Sequence, residues 1–187
     1  MQKLVLSSSN KKKIAEIESI LGFKPLSAED VNLPEVEETE TTFEGNALLK
    51  ARAACVYTNL PAIADDSGLC VEALNGAPGI YSGRMEREKG IEWVIDKLKG
   101  EPNRNAYFIC SIALVYPDGK EYVFEGRMNG KILHERQDGP VNFGYDPIFI
   151  AQGKTVSNAK LTLAEKNKIS HRGKALSALK NHLLAIS

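Results

Sequence analysis

Leu4-Val5-Leu6-Ser7-Ser8-Ser9-Asn10, with Ile14, Ile17 and Leu21 beyond it, decides the fold class of this chain. Three consecutive apolar residues followed by serines make a short buried strand. The next apolar residues recur at helical spacing, and Gly22 closes that helix. A strand that passes through a short polar loop into a helix is the opening unit of an α/β domain. Working outward, residues 28–41 are acidic, contain Pro34 and read as a loop, and a second helix is expected over residues 42–57. Residues 61–64 read as a short strand that ends at Asp65-Asp66-Ser67-Gly68, with extended structure resuming at Leu69-Cys70-Val71. Residues 76–79 form a turn-rich loop, and a third helix covers residues 91–99. Residues 107–116 and 121–128 flank Pro117-Asp118-Gly119-Lys120, a strong hairpin signal. Residues 147–150 read as another strand. Thr162 and Glu165 have capping-box spacing, and a last helix is expected over residues 171–185 with Ser170 as its cap. The sum is a mixed α/β fold, read as one domain over residues 1–187.

Composition narrows the function classes. The 24 basic and 24 acidic side chains cancel, which argues against a general nucleic-acid or membrane-surface binder but leaves room for a local basic pocket. Cys55, Cys70 and Cys110 cannot all pair within one chain, and each sits in an apolar context. They read as buried reduced thiols, which fits a cytoplasmic protein. The opening run is too short for a signal peptide, and no segment is apolar enough to span a bilayer.

Five stretches carry chemistry. Ser8, Ser9 and Asn10, with Lys13 one turn on, put hydroxyls, helix-start N–H groups and an ammonium where phosphate oxygens bind; a plain N-cap beside a solvated lysine uses the same residues. On the second helix, Phe43, Ala47, Lys50 and Ala54 share one stripe, so Lys50 needs an anionic partner or an escape to solvent. A phosphate, Glu38 and Asp66 are the candidate partners. Asp66 at a strand end can hold Mg²⁺ or orient a water, with Glu38 as second carboxylate; the same Asp-Asp-Ser-Gly is also good turn chemistry. Phe143, Gly144, Tyr145 and Asp146 offer an aromatic face and a carboxylate for a base, although taken alone the stretch reads first as a core aromatic beside an ordinary turn. Lys166, His171, Arg172 and Lys174 crowd donors around a helix N-terminus, where cations are disfavoured unless something negative joins them.

Together these stretches resemble the inosine triphosphate pyrophosphatase family from the first strand to the last helix. The carrying motifs are Ser8-x-Asn10-x-x-Lys13, Phe43-x-x-Asn46-Ala47-x-x-Lys50-Ala51, Asp65-Asp66-Ser67-Gly68-Leu69, Gly76-Ala77-Pro78-Gly79-Ile80-Tyr81-Ser82, Phe143-Gly144-Tyr145-Asp146-Pro147-Ile148-Phe149 and Ser170-His171-Arg172-Gly173. Ser8-Ser9-Asn10 stands where many members have Thr-Gly-Asn, and the segment from Tyr81 to Trp93 is short. The resemblance implies an elongated mixed-sheet α/β fold with two lobes and a central nucleotide-binding cleft, acting as a cytoplasmic homodimer. It implies that Ser8, Ser9, Asn10, Lys13 and Lys50 hold a triphosphate, and that Glu38 and Asp66 serve Mg²⁺, with Asp66 as catalytic base. Ser67 contacts substrate, Phe143 stacks on a purine within the Gly144-Tyr145 segment, and Asp146 bonds its edge. Lys166, His171 and Arg172 address the 6-keto oxygen. The implied reaction removes pyrophosphate from inosine- and xanthosine-type triphosphates. The competing expectations are a nucleotide sensor without chemistry, a pyrophosphatase for modified pyrimidine or ordinary nucleotides, and an adenine-preferring phosphatase that releases orthophosphate.

Overall fold

Strand β1 (Val5–Leu6) forms because apolar residues on both of its faces are covered: Val5 and Leu6 are almost wholly buried. The computed structural model describes residues 3–85, 87–140 and 142–186. Met1 and Gln2 of the opening run, and Glu86 within the Tyr81–Trp93 segment, lie outside the described residues. The protein is mixed α/β. Its five-stranded sheet has the order β1-β2-β3-β4-β5, with β2 at Ala62–Val71, β3 at Asn105–Val115, β4 at Glu121–Ile132 and β5 at Phe149–Ala151. β1 and β2 are parallel, with Val5 opposite Ala62 and Leu6 opposite Ile63. A parallel pair needs a crossover, which here carries helices α1 (Lys11–Leu21) and α2 (Phe43–Thr58). β3 and β4 are joined by the expected hairpin, in which the Gly119 N–H donates to the Tyr116 carbonyl at 3.0 Å. β4 and β5 are antiparallel, with Gly130 opposite Ala151.

The chain gathers into two compact units. One comprises Met1–Asp66, Cys110–Glu125 and Ala175–Ser187, and the other Ser67–Ile109 and Gly126–Lys174. In the first unit, strand alternation sorts the core onto two faces. Leu4, Leu6 and Ile63 pack with Ile17 and Leu21 of α1 and with Leu176 and Leu179 of helix α5 (His171–Ala185). Val5, Ala62 and Ala64 pack instead against Ala47, Ala51 and Ala54 of α2, all wholly buried. Alanines on that helix leave no long side chain between it and the strands. Each fully buried Leu or Ile in these layers stabilises the fold by about 1.5–3 kcal/mol. The second unit has its own core. Leu69 and Val71 of β2, Phe108 of β3 and Phe149 of β5 pack there with Ile91 and Val94 of α3 (Arg87–Lys97) and with Leu98 just beyond that helix.

The caps follow the sequence signals. Asn10 caps α1 by accepting from the Lys12 and Lys13 N–H groups, and Gly22 ends that helix at φ 82°. Thr42 caps α2, and Thr162 caps α4 (Leu163–Ile169). Ser170 Oγ accepts from the Gly173 N–H at 2.9 Å at the start of α5. All three cysteines are free and buried.

Three expectations change. Asp65-Asp66-Ser67-Gly68 is not a turn: β2 runs through it as one strand of 10 residues. Turn propensity loses because both carboxylates are buried beside cationic side chains that hold them in an extended backbone. Residues 147–150 begin with a 3₁₀ turn, Asp146–Ile148, in which the Asp146 N–H donates to the Phe143 carbonyl, so β5 starts only at Phe149. Helix α3 opens a turn earlier than its apolar spacing suggests, with Glu88 in its first turn.

Candidate active site

Strand β2 places the first set of polar residues by the same alternation that sorts the core. Asp65 follows Ile63 on the α1 side, and Asp66 follows Ala64 on the α2 side. Lys13, one turn into α1, reaches Asp65 with Nζ to Oδ1 at 3.0 Å. Lys50 of α2 donates to Glu38 Oε1 at 2.8 Å and to the Asp65 carbonyl at 2.6 Å. The apolar stripe on α2 thus resolves its buried lysine with Glu38, one of the three candidate partners. Burial pulls the Lys50 ammonium down, but the fields of Asp65, Glu38 and Asp66 outweigh it and the net shift is upward. Lys50 therefore stays charged throughout the neutral range.

Asp66 is 7% exposed. Burial pushes its carboxyl up to about 6, assisted by the charges of Glu38 and Asp65 and opposed by Lys50 and the Asn46 amide. Its Oδ2 is buried and accepts no hydrogen bond among the described residues. Asn46, wholly buried, accepts the Glu40 N–H at 3.0 Å and so ties the acidic loop to α2. At the strand-to-helix junction, Ser8 Oγ accepts the Asn10 N–H at 3.2 Å, and Ser9 is exposed. The Asn10 side-chain oxygen is occupied as the cap. Three carboxylates against two lysines leave this set with an excess of negative charge, suited to a divalent cation that arrives with phosphates.

The second set lies in the other unit. Asp146, 2% exposed, accepts from Lys166 Nζ at 2.6 Å, and both side chains are buried. Asp146 is thus the negative group that the crowded donors ahead of α5 demand. Phe143 presents its ring to Lys166 Nζ at 5.3 Å and to the Arg172 guanidinium carbon at 5.8 Å. Arg172 also donates to Ser67 Oγ at 3.1 Å. Gly144 takes φ +53°, which turns the chain between Phe143 and Tyr145. His171 lies parallel to the Phe108 ring, 4.9 Å between centroids. A Cβ on Gly173 would meet the Asn167 carbonyl at 2.1 Å, so the α4–α5 junction that aims Arg172 accepts only glycine there. Tyr145 is a core residue whose hydroxyl donates to the Ser82 carbonyl at 3.0 Å; its side chain braces the segment.

Sequence reasoning missed three contributors. Asp65 was passed over for its neighbour, although strand alternation applied to residues 62–66 would have aimed it at Lys13. Ser82 accepts the Leu69 N–H at 2.9 Å and fastens the Gly76–Ser82 loop to β2; nothing local signals that. Asn158 beside Asp146 is the third.

Fold and site together define an α/β protein with one set of lysines and carboxylates and a second set of aromatic, carboxylate and guanidinium groups. A family model described as the Ham1 family matches residues 4–182, so the chain belongs to that family, as its motifs indicate. The dITP/XTP pyrophosphatase of Geobacter sulfurreducens is 46% identical over 194 residues, covering 98% of this chain and 97% of its own. That of Streptomyces coelicolor is 45% identical, covering 96% of each chain. Among solved structures, a HAM1 protein from Coxiella burnetii shares 38% identity at a TM-score of 0.92, covering 99% of this chain and 100% of its own. The Staphylococcus aureus Ham1 protein shares 37% at 0.91 over the whole of both chains.

Proposed function

We propose that this chain is a Mg²⁺-dependent pyrophosphohydrolase that converts inosine, deoxyinosine and xanthosine triphosphates to their monophosphates and pyrophosphate. The observation that carries the reading is Asp66, a buried carboxylate with a raised pKa of about 6 and an unpartnered oxygen, in the field of Lys50. A general base works best when its pKa lies near the operating pH. The names of the relatives, dITP/XTP pyrophosphatase, point to the same activity and base class.

In this reading Lys13, Lys50, Ser8, Ser9 and the N–H groups at the start of α1 take the triphosphate. Asp66 accepts the proton of a water that attacks the α-phosphorus, and the α–β bond breaks as pyrophosphate leaves. The donor set fits a hard cation: oxygen ligands from Glu38 and Asp66, with the buried Asp66 oxygen unsatisfied by protein. Bound there, Mg²⁺ supplies charge neutralisation to the phosphates and lowers the cost of the leaving group. Phe143 takes the flat face of the purine, and Lys166 and Arg172 donate to its 6-keto oxygen. Adenine would set an amino group against those donors, and a site built to satisfy a keto acceptor rejects it strongly. The active form is taken as a homodimer working in the cytoplasm.

Removal of the metal tests the cofactor. Protein freed of divalent ions by chelation is expected to lose inosine triphosphate turnover by about a hundredfold or more, and to recover it as Mg²⁺ is titrated back. Full turnover in excess chelator would contradict the metal assignment.

A further inference from the structure

The Asp146–Lys166 pair has a third member that the reaction scheme does not use. Asn158 is wholly buried at the start of the 3₁₀ turn Asn158–Lys160. Its amide nitrogen lies 3.4 Å from Asp146 Oδ1, on the carboxylate oxygen that Lys166 does not take, and 3.2 Å from Met128 Sδ. Its own Oδ1 is buried and has no hydrogen-bond partner among the described residues. A buried, unsatisfied amide oxygen is rare and calls for an explanation. An apolar side chain of the same shape would fill the position without it. Turning the amide over offers no relief, because it would bring that oxygen against the Asp146 carboxylate and leave the sulfur, a weak acceptor, without a donor.

The mount is rigid. Ser157 donates its hydroxyl to the Gln137 carbonyl at 2.7 Å and its N–H to Gln137 Oε1 at 3.2 Å. On the other side, a Cβ on Gly139 would meet the Ala159 carbonyl at 2.2 Å, so the two segments touch through backbone. A fixed donor therefore faces one oxygen of the carboxylate whose other oxygen accepts from Lys166.

We infer that Asn158 is a positioning residue for purine selection: its amide fixes the plane of the Asp146 carboxylate, which in turn sets where Lys166 aims its remaining N–H groups. This rests on the reading of Asp146 and Lys166 as the base-recognition pair. Loss of the donor should loosen ground-state recognition of the base more than it slows the chemistry, which belongs to Asp66.

The test compares Asn158→Leu and Asn158→Ala with Lys166→Met, measuring kcat and KM for inosine and adenosine triphosphates together with thermal unfolding. Asn158→Leu removes the donor at similar volume, and Asn158→Ala removes it without overpacking if leucine prevents folding. The expected result is KM for inosine triphosphate raised about tenfold with kcat held within about twofold, and a narrowed inosine-to-adenine gap, in folded protein. A wild-type KM and an undiminished purine preference in either folded variant would overturn the inference. If Lys166→Met collapses the preference while the Asn158 variants keep it, the inference alone fails. If Lys166→Met also leaves the preference unchanged, the base-recognition reading and the inference fall together.

Discussion

Replacing Asp66 with Asn is expected to lower kcat by about a thousandfold while making the metal-free protein harder to unfold above neutral pH. The catalytic half follows from removing the proposed base, with nucleotide binding largely retained because the lysines remain. The stability half follows from the raised pKa. Burial, with Glu38 and Asp65 nearby, moves the Asp66 carboxyl from its ordinary 3.8 to about 6 in the folded chain, so the native state holds the charged form at a cost. That cost is absent well below pH 3.8, grows between 3.8 and 6, and is constant above 6. Allowing for solvent that still reaches the group, it amounts to about 1–2 kcal/mol. Asparagine carries no charge at any pH, so its unfolding midpoint should exceed the wild type's by roughly 3–6 °C at pH 7–8. The gap should shrink towards pH 4. Calorimetry in chelator across that range, paired with single-turnover assays, reads both halves. Near-normal turnover would remove Asp66 from the catalytic role.

Lys166→Met should act in the opposite sense on stability. Asp146 and Lys166 form an ion pair in which both side chains are buried, at 2.6 Å. Deleting one partner of such a buried pair costs about 3–5 kcal/mol. The midpoint should fall by roughly 6–15 °C for a chain of this length. Adding Asp146→Asn to Lys166→Met should restore much of the loss, since no charge is then left stranded. On substrate selection, Lys166→Met should narrow the gap between inosine and adenosine triphosphates by an order of magnitude or more, because the buried donor proposed for the 6-keto oxygen is gone. An unchanged preference in the folded variant would place purine recognition elsewhere.

Local chemistry made most of the fold readable. Asn10, Thr162 and Ser170 cap helices as their positions announced, and Pro117-Asp118-Gly119-Lys120 closes the hairpin. Sequence reasoning failed where distant groups overrode local preference. Asp65-Asp66-Ser67-Gly68 has turn composition, yet Lys13, 52 residues before Asp65, helps hold it extended. The pairing of Asp146 with Lys166 was likewise beyond local reading. Each residue was noticed, but across a separation of 20 positions nothing signals that one neutralises the other. Tyr145 sits among residues of functional type, and its hydroxyl donates to the Ser82 carbonyl, a contact that local sequence does not announce. The Lys50–Glu38 pair fared better, because a lysine within an apolar helix stripe demands a partner wherever it is found.

The most direct measurement is the product set formed by the purified protein with Mg²⁺ and inosine, xanthosine, guanosine or adenosine triphosphate, with pyrophosphate and orthophosphate scored separately. Monophosphate and pyrophosphate in equal amounts, formed with a strong preference for inosine and xanthosine, is the expected result. Orthophosphate release, or tight binding without turnover, would contradict it.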